Sequence, residues 1–176
     1  FYDFCDELGM VVWAEIPFIS RFINTKEAKE DTVRQMRELI MQNYNHPSIC
    51  FWGISNEITM GGESDELVEN QRILQKLCHK LDPSRKTVLA NLTTVESQSE
   101  QNKITDLSAY NVYMGWYAGK VEDCGAWMDS LHKENSDMCM GISEYGADTN
   151  VQYHSDAPKR QDYTEEYQSY YHEKML

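Results

Sequence analysis

Two glutamates, Glu57 and Glu144, each follow directly on a run of mostly apolar residues. In a sheet of parallel strands the carboxyl ends of the strands meet at one edge, where side chains that do chemistry gather. A carboxylate in such a place is costly unless it is paired or functional. The pattern alone leaves two alternatives: a catalytic pair of carboxyl groups, or two structural carboxylates neutralised by Arg or Lys.

The elements that would position these glutamates follow from hydrophobic periodicity. Five short apolar runs predict strands at 10–16, 49–55, 87–92, 107–113 and 139–145. Segments with helical spacing lie around them, at 1–8, 26–43, 67–81, 126–133 and from about 164 onward. Strands that are apolar on successive positions and separated by helices favour a parallel sheet covered by helices. The fold class is therefore α/β.

The first glutamate ends a longer recognisable segment, Asn45–Glu57, with the sequence NHPSICFWGISNE. This segment resembles the acid/base signature of glycoside hydrolase family 2, which contains β-galactosidases and β-glucuronidases. The resemblance implies that Glu57 ends the fourth strand of a barrel and is the general acid/base. Asn56, beside it, can hydrogen-bond the 2-hydroxyl of the sugar, a contact that strengthens in the transition state.

Three further segments are similar to the same family in the same order. Ile142–Gly146 resembles the strand of the nucleophile, which implies that role for Glu144 on the seventh strand. Tyr110–Tyr117 resembles the sixth strand, and its Tyr113 matches a tyrosine that contacts the nucleophile. Asp6–Glu15 is similar to the second helix and the third strand. The implied fold is an incomplete (β/α)8 TIM barrel, covering about strands 3 to 7.

Five strands are fewer than the eight of a closed barrel, which usually takes about 250 residues. We therefore expect residues 1–176 to be a partial TIM-barrel catalytic domain of a larger glycosidase. Its partners would include the missing barrel strands and the accessory β-domains of the parent chain, and a homo-oligomer is compatible with this arrangement.

The chemistry of a retaining glycosidase needs two carboxyl groups roughly 5 Å apart, one protonated and one ionised. Proximity keeps the acid protonated, because two like charges at that distance do not both ionise cheaply. We expect the Tyr113 hydroxyl to donate to Glu144. Trp116 and Tyr117 offer flat faces to a sugar ring, the alternative being that both pack beneath their loop. Glu15 either lines the site or belongs to a structural ion pair.

No metal or cofactor is expected. Some β-galactosidases of the family carry a Glu-x-His metal pair after the third strand, but here that stretch, Ile16–Arg21, contains no such pair. The five cysteines have irregular spacing and no zinc-binding pattern, so we expect mostly buried thiols.

The balance of 16 basic to 29 acidic residues gives a net charge of −13. Nucleic acid and anionic membranes both need a concentrated positive surface, so neither is expected as a partner, whereas a carbohydrate substrate fits. The compartment stays open between the cytoplasm and an exported location.

The sequence therefore predicts a retaining β-glycosidase. We expect a β-galactosidase ahead of a β-glucuronidase and a β-mannosidase. The alternatives are another glycosidase family of the same clan and an inactive sugar-binding remnant of the barrel.

Overall fold

A computed structural model describes residues 1–176 as one parallel sheet with helices on its outer side. The five strands lie side by side in sequence order and every neighbouring pair is parallel. Their bounds are β1 Val12–Glu15, β2 Ile49–Asn56, β3 Lys86–Leu92, β4 Leu107–Val112 and β5 Met140–Tyr145. This is the order of a barrel that is only partly complete, so the predicted fold class is confirmed.

Five helices connect or flank the strands, and all five lie where helical spacing predicted them. Their bounds are α1 Tyr2–Leu8, α2 Lys26–Asn43, α3 Asp65–Leu81, α4 Asp123–Glu134 and α5 Glu165–Met175, with short 3-10 turns at Ile58–Gly61 and Glu100–Lys103. Hydroxyl groups cap three of them: Thr25, Ser64 and Thr164 each accept a hydrogen bond from a backbone N–H of the first turn.

The main core lies between the sheet and helices α2 and α3. Trp52 and Ile54 point from β2 toward these helices and are fully buried, as are Met36 of α2 and Leu74 of α3. Burial of one such side chain stabilises the fold by roughly 1.5–3 kcal/mol. The outer face of the sheet therefore supplies stability and leaves the inner face free for other side chains.

On the inner face, Gly53 lets strand β1 carry large side chains close to β2. A Cβ atom at Gly53 would lie 2.1 Å from Nε1 of Trp13 and 2.5 Å from Cβ of Glu15. Real Cβ atoms do not approach so closely, so only glycine fits between these two side chains. The sequence of β2 is thus matched to the inward side chains of β1.

The two edges of the sheet, β1 and β5, each pair on one side only. Apolar side chains near β1 are largely exposed: Phe4, Leu8 and Val11 each show 70% or more of their surface. No helix is both long enough and apolar enough to span a bilayer. Of the five cysteines, three are buried, Cys50 is half-buried and Cys139 is exposed, so the expectation of mostly buried thiols is confirmed, with Cys139 as the exception.

At the amino-terminal end of the sheet, Asp82 joins the end of α3 to the start of β2. Its carboxylate accepts hydrogen bonds from Nε1 of Trp52 at 3.0 Å and from the Arg85 guanidinium at 2.7 Å. Arg85 also donates to the backbone carbonyls of Ile49 and His46. Burial alone would raise the pKa of Asp82, but the hydrogen bonds from Ser84, Arg85 and Trp52 outweigh it and lower the pKa to about 2.

Replacing Asp82 with Asn is expected to lower the free energy of unfolding by about 2–4 kcal/mol, because Arg85 then lacks a carboxylate partner in a mostly buried position. The pKa of Asp82 is lowered to about 2, so its carboxylate stabilises the fold at any pH above the pKa of an ordinary aspartate. This contribution is lost as the pH falls from there toward 2. The difference in free energy of unfolding between the two proteins, measured by urea unfolding, should therefore become smaller on acidification. Asp129→Asn, on an exposed face of α4, is the control and should change little. A constant difference at every pH would contradict this account.

Candidate active site

The carboxyl ends of β2, β3, β4 and β5 surround a cleft of about 560 Å³. Glu57 and Glu144 both line it, together with Asn111, Tyr113 and Tyr117. The two glutamates come from strands that are separated by β3 and β4 in the sheet, so its curvature brings them to one cavity. The sequence predicted this shared location.

The backbone of Glu57 has φ 46° and ψ 29°, in the left-handed region that residues with a side chain rarely adopt. Its N–H donates to the carbonyl of Ala90 on β3 at 2.9 Å, and the next residue, Ile58, is buried at 2% exposure. These contacts hold Glu57 in a conformation that costs about 1–3 kcal/mol, and such strain clusters at functional sites.

Asn111, on β4, connects the residues of three strands. Its side-chain amide donates to Oε1 of Glu57 at 2.9 Å and to Oδ1 of Asn56 at 3.0 Å. Its own Oδ1 accepts a hydrogen bond from the Ser143 hydroxyl at 2.6 Å. Sequence reasoning missed Asn111. The available signal was an amide within an otherwise apolar strand, a position that is costly unless its polar atoms are hydrogen-bonded.

The contact expected between Tyr113 and Glu144 is present. The Tyr113 hydroxyl donates to Oε2 of Glu144 at 2.8 Å. Burial raises the pKa of Tyr113 well above its usual value, and the hydrogen bond to Glu144 raises it further. The phenol therefore keeps its proton at neutral pH and holds the Glu144 carboxylate by a neutral donor.

The two aromatic candidates in the following loop behave differently. Tyr117 is 63% exposed, lines the cleft and lies against Tyr113, with ring centroids 5.0 Å apart. Trp116 is only 2% exposed and packs against Tyr163 and Tyr167. The prediction that Trp116 offers its face to a sugar is wrong, because the ring is enclosed by the segment that follows β5. Tyr117 stays a candidate.

Glu15 lines a smaller cavity on the inner face of the sheet with Asn56 and Glu144. Its carboxylate accepts a hydrogen bond from Nε1 of Trp13 at 3.0 Å, and no Arg, Lys or His lies within ion-pair distance of it. Partial desolvation raises the pKa of Glu15 and the charge of Glu144 raises it further, while the hydrogen bond from Trp13 opposes the rise. Of the two alternatives for Glu15, the structure favours a residue that lines the site.

Parallel strands in barrel order, with two glutamates in one cleft at their carboxyl ends, define part of a TIM-barrel glycosidase. The chain belongs to glycosyl hydrolase family 2: residues 1–175 match the family model for its TIM barrel domain. The resemblance that the signature segments indicated is thereby confirmed.

Several proteins of this family are similar over nearly all of the chain. It is 37% identical to a β-glucuronidase of Bacteroides fragilis, over 97% of this chain and 26% of that protein. A crystal structure of an FMN-binding β-glucuronidase from Faecalibacterium prausnitzii L2-6 superposes with a TM-score of 0.97 at 55% identity, covering 99% of this chain and 27% of that one. The chain thus spans about a quarter of the length of the relatives it matches.

The names of the relatives bear on the expected substrate. A β-galactosidase of Thermoanaerobacterium thermosulfurigenes is also 37% identical, but over only 49% of this chain. A crystal structure of a putative β-galactosidase from Bacteroides fragilis covers 98% of this chain at 34% identity, compared with 55% identity over 99% for the FMN-binding β-glucuronidase. The sequence-based expectation placed β-galactosidase ahead of β-glucuronidase, whereas the comparisons favour β-glucuronidase.

Replacing Asn111 with Asp should lower the free energy of unfolding at pH 7 by about 2–3 kcal/mol. The side-chain amide that donates to Glu57 and to Oδ1 of Asn56 would be replaced by a carboxylate, which has no proton to donate. The loss should shrink in acid, where the new carboxyl group binds a proton. Urea unfolding at two pH values measures both effects, with the exposed Asn24→Asp as the control. Equal stability of Asn111→Asp and the unmodified protein would contradict the hydrogen-bonding role of the amide.

Proposed function

We propose that residues 1–176 are a partial TIM-barrel catalytic domain of a larger retaining β-glycosidase that removes terminal β-linked glucuronate. Glu57 is the general acid/base and Glu144 is the nucleophile. The observation that carries the proposal is that both carboxyl groups line one cleft, where Tyr113 donates to Glu144 and Asn111 donates to Glu57.

In the first step, an oxygen of Glu144 attacks the anomeric carbon and forms an ester bond to the sugar. The bond to the leaving group breaks, and its oxygen takes the proton of Glu57. Tyr113 orients the attacking carboxylate, because its hydroxyl donates a hydrogen bond to Oε2 of Glu144. Asn111 fixes the carboxyl group of Glu57 relative to Asn56.

In the second step, Glu57 is ionised and accepts a proton from water while the water oxygen attacks the same anomeric carbon. The ester bond to Glu144 breaks and restores its carboxylate, and two inversions leave the configuration retained. Esterification removes the charge of Glu144 in the intermediate, so Glu57 gives up its proton more readily there and acts as the base. In this proposal the side chain of Asn56 hydrogen-bonds the 2-hydroxyl of the sugar.

The substrate class rests on the comparisons rather than on the cleft itself. Most of the relatives that cover nearly the whole chain are named β-glucuronidases, among them the one that is 55% identical, and this favours a glucuronide over a galactoside. Groups that bind the sugar carboxylate would lie largely in the parent protein outside this chain. The remaining barrel strands and accessory β-domains would cover the open edges at β1 and β5.

The parent protein should hydrolyse p-nitrophenyl β-D-glucuronide with a kcat/KM at least about a hundredfold higher than for p-nitrophenyl β-D-galactoside. A galactoside has no carboxylate, so the groups that bind the carboxylate of a glucuronide would be left without a partner. Release of nitrophenolate measures both rates. A preference for the galactoside would restore the β-galactosidase alternative, and no turnover of either would favour the sugar-binding remnant.

Glu144→Gln and Glu57→Gln should fail in different ways. Glu144→Gln should abolish turnover of every substrate, because no ester to the sugar can form. Glu57→Gln should lose about 10²–10⁴-fold on glycosides with poor leaving groups but far less on activated aryl glycosides, whose leaving group needs no proton. Azide should rescue Glu57→Gln and give a glycosyl azide of retained configuration.

The exposed Glu69→Gln on α3 serves as the control for both variants and should match the unmodified enzyme. Steady-state rates with a series of aryl glycosides separate the two roles. Equal losses of both variants on activated and unactivated substrates, without azide rescue of Glu57→Gln, would show that the roles are wrongly assigned.

A further inference from the structure

A third carboxylate, Glu15, shares the inner face of the sheet with the proposed nucleophile. Glu15, Asn56 and Glu144 line one cavity, whose other walls are Trp13, Ala90 and Ser143. Glu144 is the only other charged side chain among these residues. No Lys, Arg or His approaches either carboxylate within 4 Å, the limit for an ion pair. Two negative groups therefore share a space that contains no protein cation.

The strand sequences hold Glu15 in this place at the expense of electrostatic repulsion. Glu15 pairs with Gly53 in the register of β1 and β2, and a Cβ atom at Gly53 would come within 2.5 Å of the Glu15 side chain. On the other side, Nε1 of Trp13 donates to Oε2 of Glu15 at 3.0 Å. The absence of a side chain at Gly53 and the hydrogen bond from Trp13 therefore hold the Glu15 carboxylate in place, although its neighbour is another carboxylate.

We propose that Glu15 is a positioning residue for the reaction proposed above, whose negative charge acts through the cavity to favour attack by Glu144. The inference rests on the proposed function. As the glycosidic bond breaks, positive charge develops on the sugar ring, and a fixed negative charge beneath the ring stabilises it. At the same time Glu144 becomes an ester, so the repulsion between the two carboxylates in the free enzyme is relieved.

The titration of Glu15 gives this role a measurable signature. Partial desolvation and the neighbouring Glu144 raise the pKa of Glu15, while the hydrogen bond from Trp13 opposes the rise. A raised pKa means that Glu15 binds its proton at a higher pH than an ordinary glutamate. Its charge, and with it the proposed contribution, is therefore lost on acidification at a higher pH than for an ordinary glutamate.

The test compares Glu15→Gln with the unmodified full-length enzyme on an activated aryl β-glucuronide between pH 4 and pH 8. The expected ratio of kcat/KM values, unmodified over variant, is about tenfold at neutral pH and falls toward one in acid, as Glu15 itself becomes neutral. Losses of activity that both enzymes share cancel in this ratio. Glu69→Gln should give a ratio near one throughout.

A merely structural role would instead give a ratio that does not depend on pH, and this result would overturn the proposal. Trp13→Phe provides an independent measurement that stands even where Glu15→Gln fails to fold. Removal of the indole N–H should raise the pH at which kcat/KM begins to fall on acidification. If kcat/KM of Trp13→Phe begins to fall at the same pH as that of the unmodified enzyme, the proposal is likewise overturned. Absence of turnover in the unmodified enzyme contradicts the proposed function, whereas turnover with a constant ratio contradicts only the role of Glu15.

Discussion

The register of the five parallel strands is the constraint on which the candidate site depends. Asn56 of β2 is opposite Ala90 of β3, which is opposite Ala109 of β4. Asn111 of β4 is opposite Glu144 of β5. These pairings set the positions of the polar side chains relative to one another along the strands. Side chains alternate between the two faces of a strand, and a shift of one residue would exchange the inner and outer sets. The irregularities in register before Asn56 and Asn111 therefore matter, because they fall where the strands turn toward the cleft.

Neutral donors, rather than cations, hold the carboxylates of the site. Glu57 is held by the amide of Asn111 and Glu144 by the hydroxyl of Tyr113. Glu15 accepts from the indole of Trp13. An Arg or Lys in their place would favour the ionised form strongly and would repel the positive charge that forms on a sugar ring. Neutral donors orient each carboxylate while leaving its charge available to the reaction, which suits a group that must exchange protons or form a covalent bond.

The sequence predicted the periodic parts of the molecule and the ends of the strands, because hydrophobic spacing and side-chain type encode both locally. It could not predict contacts that depend on distant segments. Trp116 is enclosed by Tyr163 and Tyr167, about fifty residues further along the chain, and nothing near Trp116 indicates this. The role of Asn111 depends on sheet curvature, which brings β4 to Glu57 across β3. Glu15 stayed undecided for the same reason, since an ion pair and a site-lining position differ only in tertiary packing.

Stability and chemistry occupy opposite ends of the same strands. At the amino-terminal end, Asp82 is fully buried and matched by the Arg85 guanidinium, which also satisfies two backbone carbonyls. At the carboxyl end, the carboxylates have no cationic partner and Glu57 has a strained backbone. Such an arrangement is costly by itself, and it persists because β2 is fixed at its other end by Asp82 and along its outer face by the core under Trp52. We therefore expect a substitution of Asp82 to disturb the cleft through β2, and a substitution in the cleft to leave the contacts of Asp82 intact. This asymmetry follows from which end of the strand carries the compensated charge.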